Sequence, residues 1–128
     1  MKKQAISTHD APQAVGPYSQ AMASGGFLFC SGQVPLDPSS SSLVEGDITA
    51  QTHRIMQNLQ AVLKAAQLKF DDVVQSKIYL TNMADFKMVN EVYASYLSEP
   101  YPARACIEVS GLPLGAKVEI EMIARQEN

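Results

Sequence analysis

The chain has 128 residues, of which 46% are hydrophobic and 18% are charged, and its formal net charge is -3. This length predicts one domain, residues 1–128, with enough apolar side chains for a core. The mild acidity argues against electrostatic binding to nucleic acid or to an anionic membrane surface, and no apolar run is long enough to cross a bilayer.

The N-terminal residues and the cysteines predict a cytoplasmic protein. Met1, Lys2 and Lys3 lead into polar residues rather than into the apolar centre of a signal peptide. The two cysteines, Cys30 and Cys106, lack metal-binding spacing, and each falls in a predicted strand. We interpret them as reduced thiols.

Short strands are predicted in the first third of the chain, at residues 3–7, 18–22 and 27–31. Gly25 and Gly26 form the turn of a hairpin between the second and third. The third strand is apolar on both faces, so both faces must be covered. His9 falls in the turn after the first strand and is expected to be exposed.

Two amphipathic helices are predicted, from about 47 to 66 and from about 84 to 97, with a strand at 73–80 between them. Asp47 or Thr49 is expected to cap the first helix. His53 lies off its apolar stripe and is interpreted as a solvated or edge histidine. The stripe comprises Ile55, Met56, Leu59, Val62, Leu63 and Ala66.

Residues 102–121 are predicted to form two strands joined by a loop rich in proline and glycine. Arg104 and Cys106 share one face of the first strand, and a guanidinium held on a strand is a good fork for a carboxylate. A nearby glutamate such as Glu119 could move a proton. The alternative is a structural Arg–Glu pair within the sheet or at a subunit contact.

The order of elements predicts an α+β fold: a single mixed β-sheet of about six strands with two helices packed on one face. The sequence offers no third helix to cover the opposite face, although several strands carry apolar groups there. We therefore predict a homo-oligomer in which these bare faces meet. The symmetry does not follow from this argument.

Four stretches, in order and at natural spacing, resemble the YjgF/RidA family of imine deaminases. They are Gly16 to Ala21, Cys30 to Leu36, Asp85-Phe86 through Val89-Asn90, and Pro102-Ala103-Arg104 followed by Glu119. The resemblance implies a YjgF-like, chorismate-mutase-like homotrimer with ligand clefts between neighbouring subunits. It also implies hydrolysis of short 2-imino acids, released by pyridoxal-phosphate enzymes, to 2-keto acids and ammonia, without a cofactor or metal.

The resemblance also implies roles for individual residues. Arg104 would bind the substrate carboxylate, and Glu119 would position and deprotonate water. Tyr18, Ser31 and Asn90 match positions that line the cleft, and the backbone around Gly32 and Cys106 could add hydrogen bonds. Cys106 is interpreted as a lining residue, since no histidine is evident to activate it as a nucleophile.

The sequence leaves several alternatives open. Tyr18, Ser31 and Asn90 could be ordinary strand, turn and helix-surface residues. The protein could be a non-catalytic module that binds a small carboxylate through Arg104, whereas endoribonuclease activity fits an acidic chain poorly. Glu119 reaches the face of Arg104 only in some strand registers. Otherwise the two residues meet through different subunits or not at all.

Overall fold

The computed structural model describes residues 2–126, which form one six-stranded sheet and two α-helices. The α+β prediction is confirmed, with helices and strands close to their expected positions. The elements are β1 (Gln4–Ile6), β2 (Ala21–Ser24), β3 (Phe27–Gln33), α1 (Ile48–Ala65), β4 (Val73–Leu80), α2 (Phe86–Ser95), β5 (Ala103–Glu108) and β6 (Val118–Arg125). Within residues 2–126, no helix is long and apolar enough to cross a membrane.

β2 begins three residues later than predicted, because the segment before it is held as a loop. The Gln20 side-chain nitrogen donates to the carbonyls of Thr8 and Pro12, at 3.0 and 2.7 Å. Its side-chain oxygen accepts from the Thr8 amide. Gln20 is buried, so these bonds tie residues 8–12 to the start of the strand.

The helices follow from local signals in the sequence. The Asp47 carboxylate accepts from the Ala50 amide at 3.0 Å, which confirms Asp47 as the cap of α1. α2 is shorter than predicted because a 3-10 turn, Met83–Asp85, precedes it, and the Asn82 side chain caps that turn. His53 is half-buried at the edge of α1, where it shares a hydrogen bond of 2.8 Å with the Tyr96 hydroxyl.

The strand order is β1-β2-β3-β6-β4-β5, and only β4 and β5 run parallel. The helix α2 supplies the crossover that a parallel pair requires. β5 is consequently an edge strand, and β4 lies between it and β6. Residues 102–121 therefore contain two strands and a loop, as predicted, but these strands do not pair with each other as a hairpin would.

The two faces of the sheet differ sharply. Both helices pack on one face, where Leu28, Ile78 and Ile120 are completely buried, as predicted. The opposite face, which we call the open face, carries large apolar side chains without cover: Phe27, Phe29 and Ile107 are 41, 46 and 45% exposed. Apolar exposure of this kind favours contact with another protein surface. The homotrimer itself stays a prediction.

Candidate active site in two halves

The first half of the candidate site surrounds Arg104, near the start of the edge strand β5. Arg104 pairs with Ser76 of β4, so its side chain leaves the sheet on the helix-covered face. There its Nη1 donates to the Asn90 side-chain oxygen at 2.6 Å. Its Cζ lies 5.3 Å from the ring centroids of both Phe86 and Tyr93. These contacts hold the guanidinium by one hydrogen bond and two cation–π interactions.

Tyr93 is itself fixed by the sheet. It is buried, and its hydroxyl donates to the Ser76 hydroxyl at 2.9 Å. Burial raises the pKa of Tyr93, while Ser76 and Arg104 oppose that rise. The ring next to Arg104 therefore stays neutral, which a cation–π contact requires.

By their spacing, Phe86 and Tyr93 belong to the apolar face of the second predicted helix, and that pattern alone does not place them beside Arg104. A signal was present, because Phe86, Asn90 and Tyr93 occupy positions i, i+4 and i+7 and hence share one helix face. An amide between two aromatic residues on that face indicates a polar neighbour. The sequence alone did not reveal that this neighbour is Arg104.

The guanidinium is accessible from solvent. Arg104 is exposed at the mouth of a cavity of about 490 Å³. A carboxylate can therefore approach the remaining guanidinium N–H groups through this cavity. The cavity is lined by Asn90, Tyr93, Ala94, Tyr101, Pro102 and Arg104.

Cys106 lies on the same face as Arg104, because it pairs with Ile78 of β4 as Arg104 pairs with Ser76. Its thiol is half-buried and free. Burial raises the pKa of this thiol, and the nearby Arg104 charge opposes the rise only in part. A protonated thiol is a poor nucleophile, which favours a lining role for Cys106.

The second half of the candidate site surrounds Glu119 on the open face. Glu119 pairs with Tyr79 of β4, and its carboxylate lies against Gly32 in the irregular part of β3. A Cβ atom on Gly32 would overlap Oε2 of Glu119 and lie 2.9 Å from its Cδ. A residue without a side chain is therefore required at position 32 for this arrangement.

Glu119 has an unusual environment for a glutamate. Burial raises the pKa of its carboxyl above the ordinary value, and the negative charge of Glu121 raises it further. Both causes disfavour the charged form. A carboxyl group with a raised pKa takes up and returns a proton more readily near neutral pH than an ordinary glutamate does.

Ser31 connects the Glu119 half to the segment that carries Tyr18. The Ser31 hydroxyl donates to the Ser19 carbonyl at 2.6 Å, and the Ser31 amide donates to the Gln20 carbonyl at 3.0 Å. Tyr18 is 51% exposed and lines a separate cavity of about 420 Å³ together with His9. Ser31 therefore has a structural task here, whatever its role towards a ligand.

The two halves lie on opposite faces of the same sheet. Arg104 shares its face with Ser76, whereas Glu119 shares the open face with Tyr79. The two side chains consequently cannot act on one small ligand within a single chain. Of the alternatives left open by the sequence, only a meeting through different subunits, or no meeting, remains.

Replacing Gly32 by alanine is expected to displace the Glu119 carboxylate without unfolding the protein, because the new methyl group meets the end of one flexible side chain. We expect the activity proposed below to fall by at least about tenfold, as misplacement of a catalytic group is costly. Gly111→Ala is the matched control, since a Cβ there meets nothing within 4 Å. Equal activity in both variants would show that contact with Gly32 does not position Glu119.

No group of three or more histidine, cysteine or acidic side chains within residues 2–126 is arranged to hold a metal ion. The polar groups brought together are instead the guanidinium and amide of one half and the carboxylate of the other. This set can bind an anion and move a proton.

Comparison with known proteins identifies relatives along almost the entire chain. A RutC family protein of Pyrococcus horikoshii is 47% identical over 125 residues, covering 98% of this chain and 99% of the relative. The 2-iminobutanoate/2-iminopropanoate deaminase of Mus musculus is 46% identical over 124 residues, covering 97% and 92%. The crystal structure of E. coli TdcF with bound serine superposes with a TM-score of 0.91 at 35% identity, covering 97% and 99%.

A family model also matches nearly the full length of the chain. The model is described as endoribonuclease L-PSP, and it matches residues 8–126. The match includes every candidate site residue in both halves, from Tyr18 to Glu119. The chain therefore belongs to the endoribonuclease L-PSP family, which is the YjgF/RidA family that its sequence motifs resemble.

Proposed function

We propose that this protein hydrolyses short 2-imino acids to 2-keto acids and ammonia. The observation that carries the proposal is the pair of complementary half-sites: an accessible, pre-positioned Arg104 and a Glu119 carboxyl with a raised pKa. The 46% identity to a 2-iminobutanoate/2-iminopropanoate deaminase supports the same reaction class. We further propose a cytoplasmic location, where imines formed by pyridoxal-phosphate enzymes arise and thiols such as Cys106 stay reduced.

The proposed reaction needs no group beyond those in the two half-sites. Arg104 binds the substrate carboxylate, and Asn90 orients Arg104. Glu119 removes a proton from water as the water oxygen bonds to the carbon of the protonated imine, which gives a carbinolamine. Glu119 passes this proton to the carbinolamine nitrogen. It then takes the hydroxyl proton as the C–N bond breaks and the C=O bond forms, and that proton leaves with ammonia. One protonated imine and one water thus yield one 2-keto acid and one ammonium ion.

We also propose that the site is completed between subunits of a homotrimer, since the halves occupy opposite faces of one chain. The exposed apolar residues of the open face support association. In such an assembly the edge strand of one subunit, with Arg104 and Cys106, approaches the Glu119 surface of its neighbour. Tyr18, Ser31 and Gly32 would line the cleft from the Glu119 side, and Asn90 from the Arg104 side.

The direct test couples the purified protein to a pyridoxal-phosphate threonine dehydratase. Semicarbazide traps free imine, and hydrolysis by this protein should reduce the trapped fraction while 2-ketobutyrate appears faster. A trapped fraction that does not change over a wide range of protein concentrations would refute the proposed activity on these substrates.

Mixing two inactive variants tests whether the halves come from different subunits. Arg104→Ala and Glu119→Gln subunits, unfolded and refolded together in equal amounts, should recover roughly a quarter of wild-type activity, because random assembly restores both residues at that share of interfaces. The same variants refolded separately should remain inactive. Recovery would not occur if each site were built from one chain.

A second candidate function is a non-catalytic module that binds a small carboxylate. The Arg104 half favours it, since the guanidinium, its amide partner and its cavity are complete without Glu119. E. coli TdcF, which is similar in structure, has been crystallised with bound serine. Calorimetric binding of 2-ketobutyrate without any imine hydrolysis would favour this function over catalysis.

RNA cleavage is the activity that the family description suggests, and we do not propose it for this chain. His9 bonds to Gln13 in the first loop, whereas His53 bonds to Tyr96 at the edge of α1. The two imidazoles therefore serve separate places in the fold rather than a shared site. The net charge of -3 also opposes binding to a polyanion.

A further inference from the structure

Two polar side chains beside Glu119 have no part in the reaction described above. Tyr79 of β4 stands directly opposite Glu119, and Glu121 follows two residues later on the same face of β6. The Tyr79 hydroxyl donates a hydrogen bond to Oε1 of Glu121. This bond runs diagonally across the strand pair, past the nearest cross-strand neighbour of each residue.

We propose that Tyr79 and Glu121 form a positioning pair, in which the tyrosine fixes the Glu121 carboxylate beside Glu119 so that Glu119 can both accept and return a proton. This inference rests on the proposed deaminase function. It assigns no contact with substrate to either residue: both act through Glu119.

The choice of tyrosine as the partner is informative, because a lysine is equally near in the sheet. Lys77 is the direct cross-strand neighbour of Glu121. An ammonium bound to Glu121 would neutralise its charge, whereas a phenol holds the carboxylate in place and leaves the charge intact. This negative charge on Glu121 disfavours ionisation of the adjacent Glu119.

The Tyr79 hydroxyl stays protonated near neutral pH. Its pKa is raised to about 12, first by the hydrogen bond to Glu121 and then by burial and by the charges of Glu121 and Glu119. The hydroxyl therefore does not ionise near neutral pH. The hydroxyl is therefore available as a donor to Glu121 near neutral pH.

The other ionisable groups near Glu119 come from β4 on one side and from its own strand, β6. The bulged part of β3 contributes only Ser31 and Gly32, neither of which ionises. Burial and the Glu121 charge are the causes that raise the pKa of Glu119. The charged or titratable groups of β4 and β6 on this side of the sheet are Tyr79 and Lys77 from β4, Glu121 and Arg125 from β6, and Lys117 just before β6.

The first experiment measures the titration of Glu119 itself, without substrate. Carbon-13 NMR of the side-chain carboxyl group, assigned with the Glu119→Gln variant, gives its pKa in wild type, Tyr79→Phe and Glu121→Gln. We expect the pKa of Glu119 to be lower in both variants, and lowest in Glu121→Gln, where the charge is removed. Glu45→Gln, in an exposed loop, is the matched control.

The second experiment measures the pH dependence of imine hydrolysis in the same variants. We expect the acidic limb of kcat/KM to move to lower pH, and kcat at neutral pH to fall roughly three- to tenfold, because a less basic Glu119 is a weaker proton acceptor. KM should not change, since the Arg104 half is untouched. A purely structural role would lower activity without moving the limb.

An unchanged Glu119 titration in both variants would overturn the positioning pair, whatever the activity. The NMR measurement requires no turnover, so it separates this inference from the proposed function. If the wild-type protein does not hydrolyse imines, the deaminase proposal is refuted. The titration then still shows whether Tyr79 and Glu121 control the pKa of Glu119.

Discussion

Replacing Arg104 by alanine is expected to lower kcat/KM for 2-imino acids by roughly 30- to 5,000-fold. Loss of a desolvated, hydrogen-bonded charge partner costs about 2–5 kcal/mol, and each 1.36 kcal/mol is a factor of ten in rate. The loss is large because, in the proposed cleft closed by a neighbouring subunit, the substrate carboxylate would lie desolvated against Asn90 and the aromatic rings without its guanidinium. Coupled-assay kinetics on the purified variant would measure it.

Arg104→Lys is the control that separates charge from geometry. Lysine keeps the positive charge but cannot form the paired N–H contacts of a guanidinium, nor can it bond Asn90 in the same way. We expect it to recover only a small part of the lost activity. Both variants should fold, since Arg104 is exposed and its side-chain contacts amount to one hydrogen bond and two cation–π interactions. Near wild-type kcat/KM in Arg104→Ala would exclude Arg104 as the carboxylate anchor.

Replacing Glu119 by glutamine is expected to lower kcat by about 10²- to 10⁴-fold, the range for removing a general acid–base group. Glutamine preserves size and can fit against Gly32, so the fold and the Arg104 half should be unaffected. Calorimetry with 2-ketobutyrate should accordingly give an affinity close to that of wild type. This combination of lost turnover and retained binding would distinguish the enzyme from a binding module.

The same substitution should stabilise the protein at neutral pH. The pKa of Glu119 is raised in the folded chain, so the folded state holds a proton that the unfolded state releases as pH rises above the ordinary glutamate value. As pH rises from the ordinary pKa of glutamate to the raised pKa of folded Glu119, the contribution of Glu119 to the free energy of unfolding therefore falls. The Tm of Glu119→Gln should be higher than that of wild type at pH 7. The two Tm values should be equal at low pH, where Glu119 is protonated in both the folded and the unfolded state. A variant less stable than wild type at pH 7 would contradict this.

A stabilising but inactivating change at one carboxyl group would indicate that Glu119 is maintained for chemistry rather than for folding. The Tyr79–Glu121 pair further disfavours a charged Glu119 in the folded state, because it holds a second negative charge on the same face. An apolar open face would pack more favourably. Association through apolar residues such as Phe27 and Phe29 therefore does not explain the presence of Glu119 and Glu121 on this face.

The elements and the fold class could be predicted from the sequence, because they depend on local periodicity. Alternation within β5 correctly placed Arg104 and Cys106 on one face, and the apolar stripe of α1 matches residues that are buried, such as Ile55 and Leu59. The uncovered second face of the sheet could also be predicted, because two helices can cover only one face of a sheet of about six strands. Motif resemblance, rather than pattern, drew attention to Glu119 and Gly32.

The relation between Arg104 and Glu119 was decided only by the tertiary structure. Alternation fixes which residues share a face within one strand, but it carries no information about the face of another strand until the register is known. Here β4 lies between β5 and β6, and its parallel and antiparallel pairings direct Arg104 towards the helices and Glu119 towards the open face. The contacts of Arg104 with Phe86 and Tyr93, of Glu119 with Gly32 and of Tyr79 with Glu121 have the same origin: each joins residues far apart in sequence through pairings that the chain makes only when folded.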